Sequence, residues 1–130
     1  MLRRTFLRSL AAILGLVALP RTAGAQAAQR TILLQTSPVA GFQYHDGEMV
    51  WPMLRIGDTL QLVREPRNAF DNRAVRIEWE GCKLGYVPRS ENHAVAQLLD
   101  RDTALSARII VLKNSSDPWQ RARFEVLREA

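Results

Sequence analysis

The side chains in this sequence that could make or break bonds are few and scattered. His45 and His93 are the only histidines and Cys82 the only cysteine, and none of the three stands at a spacing that lets it share a zinc ion with another. The carboxylates Asp46, Glu48 and Asp71 are the remaining set for a metal-dependent hydrolysis, but they fall in turn-like segments and form no apparent ligand set. There is no Gly-x-Ser-x-Gly elbow, no phosphate-cradling glycine loop ending in lysine, and no Cys–His pairing motif. The expectation is a non-catalytic chain with no cofactor and no metal site, whose chemistry is recognition.

The stretch best equipped for recognition runs from Leu60 to Ile77 and reads strand, loop, strand. Pro66 has no N–H to give and stops the ladder, while Asn68, Asp71 and Asn72 can each close a local turn by bonding the backbone with their side chains. A rigid polar loop results, with Phe70 and Asp71 side by side near its apex. Two uses are open for each. Asp71 is either a turn former or a ligand contact, and Phe70 either folds back to seal one end of the domain or offers its face for stacking.

The elements that hold this loop are mostly strands. From Arg30 onward, apolar and polar residues alternate with period two, most clearly in Ala74-Val75-Arg76-Ile77-Glu78-Trp79-Glu80. Val75, Ile77 and Trp79 are expected to face a core, and Gly81 to supply the turn into Lys83-Leu84-Gly85-Tyr86-Val87. Further strands are expected over 31–36, 59–64, 107–112 and 122–127, with a weaker one over 42–44. One helix is expected from Glu91 to Leu99, capped by Ser90, with Val95, Leu98 and Leu99 recurring at helical spacing. Trp51, Trp79 and Trp119 are expected in the core or sealing its surface. The predicted fold is mainly β, a small OB-like or SH3-like barrel of about six strands with one or two short helices.

Three motifs in order resemble the HIRAN domain family. They are Ala40-Gly41-Phe42-Gln43-Tyr44-His45-Asp46-Gly47, then Arg64-Glu65-Pro66-Arg67-Asn68-Ala69-Phe70-Asp71-Asn72-Arg73-Ala74-Val75, then Lys83-Leu84-Gly85-Tyr86-Val87-Pro88-Arg89. The resemblance implies a compact β-barrel over about residues 30–128 that captures the 3′ end of single-stranded DNA. It assigns the pocket to Tyr44 on the first strand, Phe70 and Asp71 in the loop, and Tyr86, with Gln43, Arg64, Asn68 and Arg89 beside them. Gln43 stands where the helicase-attached members carry a basic residue, and Tyr86 where they carry a histidine. Phosphate contacts therefore fall to Arg64, Arg67, Arg73 and Arg89.

The first segment bears on the partner. Arg3, Arg4 and Arg8 precede an apolar run from Leu10 to Leu19, followed by Ala23-Gly24-Ala25 and Ala25-Gln26-Ala27, which reads as a secretory signal over residues 1–25, helical in the precursor and cleaved near Ala25 or Ala27. The run is about half the roughly 20 residues of a membrane helix, so no stable span is expected after cleavage. Arg3-Arg4-Thr5-Phe6-Leu7-Arg8 suits either a twin-arginine or a Sec signal. Four of the 18 basic residues lie in this segment, leaving 14 against 13 acidic ones, so bulk charge does not argue for nucleic acid. An exported, periplasmic domain is expected. Its partner is then single-stranded DNA with a free 3′ end or, in the same pocket, a small ligand or an envelope protein.

Overall fold

The computed structural model describes residues 30–129. The expected signal segment over 1–25 and its cleavage points at Ala25 and Ala27 lie outside the described residues.

Six strands form one antiparallel sheet: β1 (Thr31–Pro38), β2 (Thr59–Glu65), β3 (Ala74–Trp79), β4 (Cys82–Tyr86), β5 (Leu105–Leu112) and β6 (Ala122–Glu129). Their order across the sheet is β1-β6-β5-β2-β3-β4. The sheet then curls until its two edges meet. Just past β1, the Ala40 N–H donates to the Tyr86 carbonyl at 2.8 Å and the Tyr86 N–H to the Ala40 carbonyl at 2.9 Å. A closed sheet leaves little free edge and encloses the core, as the alternation required.

Closure demands close approach, and Gly85 permits it. A Cβ at that position would sit 2.2 Å from the Ala40 carbonyl oxygen and 2.8 Å from a Val39 methyl. The β3–β4 hairpin is as tight as its sequence suggested, with Glu80 and Gly81 both at positive φ between Trp79 and Cys82. Val75, Ile77 and Leu84 are fully buried with Phe42, Phe124, Val126 and Ile109, each stabilising the fold by about 1.5–3 kcal/mol through lost apolar contact with water. Cys82 is partly buried and packs on this core.

Four expectations need correction. Residues 42–44 are a 3-10 turn (Phe42–Tyr44), not a strand, so Tyr44 is not on the first strand. In a strand Phe42 and Tyr44 would share a face, whereas the tighter turn buries Phe42 completely and leaves Tyr44 outside. The helix does not run on from Glu91. Arg89–Glu91 is a separate 3-10 turn, and the helix α2 spans His93–Asp100, following the short α1 (Gly47–Val50). Ser90 caps nothing, and the residue before α2, Asn92, makes no side-chain cap; its N–H₂ donates to Asp71. Trp51 and Trp79 are partly buried, but Trp119 is about half exposed on the turn Pro118–Gln120 and seals nothing. Among the described residues no helix is long and apolar enough to cross a membrane.

Candidate binding cleft

The loop between β2 and β3 is built by two Asx turns. Asn68 Oδ1 accepts the backbone N–H groups of Phe70 (2.9 Å) and Asp71 (3.1 Å), and Asp71 Oδ1 accepts that of Arg73 (2.9 Å). These bonds fix the backbone while the Phe70 side chain projects outward, 86% exposed. Phe70 does not seal the barrel end. Tyr44, 77% exposed, projects from its own turn toward the same opening.

Between these rings lies a cleft of about 460 Å³ lined by Tyr44, Asn68, Phe70, Asp71, Tyr86 and Arg89, together with His45 and Lys83 and a floor of Ala40, Ala74 and Val87. Six of the eight residues expected at the site thus meet here. Gln43 is exposed but lies off the lining, and Arg64 points away. Arg64 donates to the Ala74 carbonyl (3.2 Å) and pairs with Asp100 at 3.0 Å, tying β2 to the end of α2. On the far side of Phe70 a shallower polar cleft carries Arg73 and Asn72 and shares Asn68, Asp71 and Arg89 with the first.

Lys83 and His45 were not anticipated. In a regular strand, residues three apart face opposite ways, so Lys83 and Tyr86 read as belonging to different faces. The register slips between them: Ile77 pairs Gly85 and Glu78 pairs Lys83, leaving Leu84 as the extra residue of a bulge. The bulge turns the Lys83 ammonium over the Tyr86 ring, 4.6 Å from its centre. His45 approaches the same ring edge-on at 5.9 Å, and burial together with the Lys83 charge pulls its pKa below the ordinary value.

Asp71 is both turn former and cleft wall. Its Oδ2 accepts the amide of the fully buried Asn92 at 2.8 Å. Partial burial alone would raise its pKa, but the Arg73 N–H, the Asn92 amide and the nearby Arg89 and Arg73 charges hold it below the usual carboxylate range. Each oxygen keeps a second lone pair for a ligand. Among the described residues no three His, Cys, Asp or Glu side chains converge as a metal site.

Asn92→Asp provides a direct check of this contact. It sets a second carboxylate against Asp71, so one of the two must have its folded-state pKa raised above its unfolded value of about 4. The fold is then expected to be destabilised at pH 7 and to regain stability as the pH falls toward 4. The parent behaves oppositely, because its depressed carboxyl groups stabilise above their unfolded pKa and lose that contribution as the pH falls through the folded one. Thermal melts of both proteins from about pH 2 to 8 measure the opposed slopes, and parallel curves would contradict the contact.

A family model described as the HIRAN domain matches residues 32–129. The structure resembles the crystal structure of a protein from Lactobacillus plantarum, with a TM-score of 0.66 and 29% identity over 78% of this chain and 97% of that one. It also resembles the crystal structure of the HIRAN domain of human HLTF, with a TM-score of 0.61 over 77% of this chain and 79% of that one; at 15% identity this likeness is one of fold. No curated protein matches the chain.

Proposed function

The chain belongs to the HIRAN family, and from that premise we propose that its cleft binds single-stranded nucleic acid, DNA with a free 3′ end above all. The observation that carries this reading is the pair of rings, Tyr44 and Phe70, held out in water on either side of a cleft whose wall is the Asp71 carboxylate. Folding normally hides such rings. Here an Asx-turn loop keeps one exposed and a 3-10 turn the other, which suits stacking on a base, a contact open to all four bases.

The rim supplies the rest. Lys83 and Arg89 border the cleft and Arg73 lies beyond Phe70, so a phosphate backbone leaving the cleft on either side of that ring meets a cation. The free lone pairs of Asp71 accept a terminal hydroxyl, whereas a terminal phosphate would bring like charge against it. Lys83 takes the phosphate-facing role for which the uncharged Gln43, off the cleft lining, carries no cation.

The test is a titration of a short fluorescent oligonucleotide ending in a 3′-hydroxyl against the same sequence ending in a 3′-phosphate. The free end is expected to bind roughly tenfold tighter at low salt, as one charge-assisted hydrogen bond gained and one repulsion avoided require. Asp71→Ala should erase most of that preference. Equal affinity for the two ends overturns the end preference, and no binding at 50 mM salt overturns the nucleic-acid reading.

A further inference from the structure

We propose that Glu65 is the positioning residue of the cleft, fixing both of its walls without touching the ligand. The proposal depends on the function above only for the choice of probe. Glu65 closes β2 and is absent from the cleft lining, yet its carboxylate bonds both the loop wall, at Asn68, and the β4 wall, at Tyr86. Oε1 accepts the Tyr86 hydroxyl at 2.9 Å and the Asn68 amide at 2.9 Å. Oε2 accepts the Arg76 guanidinium, which also pairs with Glu78 at 2.7 Å.

A carboxylate is suited to this position because it accepts only, at about four lone-pair sites, and three donors converge on it. Its charge also dictates which way the Asn68 side chain faces. With the amide N–H₂ turned to Glu65, Asn68 Oδ1 is left to accept the N–H groups of Phe70 and Asp71. A flipped Asn68 would set its oxygen against the carboxylate and its N–H₂ against two backbone donors. Glu65 thus settles the loop apex through Asn68 and the β4 side of the cleft through the Tyr86 hydroxyl. Burial would push its carboxyl up, but the Asn68, Tyr86 and Arg76 donors hold it below its ordinary value, which agrees with that geometry.

Glutamine cannot replace it. Whichever way its amide turned, Glu65→Gln would set its N–H₂ donor to donor against either Arg76 or Asn68, and the fixed charge that orients Asn68 would be gone. In the ¹⁵N-labelled protein without ligand, Glu65→Gln is expected to shift the Phe70 and Asp71 amide resonances and speed their hydrogen exchange several-fold relative to β5. It should also weaken oligonucleotide binding by about tenfold, and adding Asn68→Ala in the same chain should cost less than about twofold more, as two residues acting through one contact require.

Glu78→Gln is the control, since it loosens Arg76 without reaching the loop; it should lower the melting temperature and leave the Phe70 and Asp71 amides in place. Should Glu65→Gln fail to fold, Glu65→Asp keeps the charge near Arg76 but draws it back from Tyr86 and Asn68, and the same loop signature is expected. Unmoved loop amides, or Glu65 and Asn68 effects that multiply independently, overturn the proposal. If the parent binds no oligonucleotide, the functional reading fails alone, and the amide measurement by itself upholds or overturns the role of Glu65.

Discussion

Phe70→Ala is expected to weaken binding of a short single-stranded oligonucleotide by roughly five- to a hundredfold, the range that loss of one base–aromatic stack implies, with the fold intact. The second half follows from exposure. The ring is 86% exposed, so its removal opens no cavity, and the Phe70 N–H keeps its bond to Asn68 whatever the side chain. Such surface substitutions stay within about 0.5 kcal/mol in stability. Fluorescence anisotropy paired with a thermal melt reads both quantities. A large drop in melting temperature would show the ring to be packing after all, and unchanged affinity would remove stacking on Phe70 from the mechanism. Tyr44→Ala, on the facing rim, should behave similarly.

Gly85→Ala is expected to do the reverse and strike stability first. The added methyl would stand 2.2 Å from the Ala40 carbonyl oxygen, with a Val39 methyl close behind. No rotamer relieves a Cβ clash with backbone, so the Ala40 segment must withdraw and both Ala40–Tyr86 hydrogen bonds stretch or break. Overpacking of this kind together with two damaged hydrogen bonds costs roughly 2–4 kcal/mol, which lowers the melting temperature of a domain this size by roughly 10–20 °C. Tyr86 belongs to both the closing pair and the cleft, so ligand affinity should fall as well. A calorimetric shift of only a few degrees would mean that the two edges can part at little cost.

Much of the barrel could be read along the chain, because alternation is a local record of which face is buried. Val75 and Ile77 are buried where the pattern put them, and Glu80-Gly81 makes the turn between β3 and β4. The six cleft residues were within reach for a similar reason: they sit in short motifs whose order matches a family. What escaped depends on backbone irregularity. Lys83 joins Tyr86 only because Leu84 bulges, and residues 42–44 coil because a chain crossing from one edge of the sheet to the other must send Phe42 inward and Tyr44 out. Arg64 looked like a phosphate ligand beside the loop, but its partner Asp100 lies 36 residues further along the chain, too distant for a local pattern to reveal. Asn92 was hidden because a helix expected from Glu91 takes it in as one more helical residue, whereas here it precedes the helix and its amide turns inward to Asp71.

The Asn68 turn also governs the thermodynamic character of any complex formed in the cleft. Because the backbone under Phe70 is already tied down, association need immobilise little more than the Phe70 and Tyr44 rings, at about 0.5–1.5 kcal/mol each. No segment has to fold at the moment of contact. The calorimetric signature should therefore be that of two rings leaving water, a modest negative heat-capacity change that scales with their buried faces, and not the large one of coupled folding.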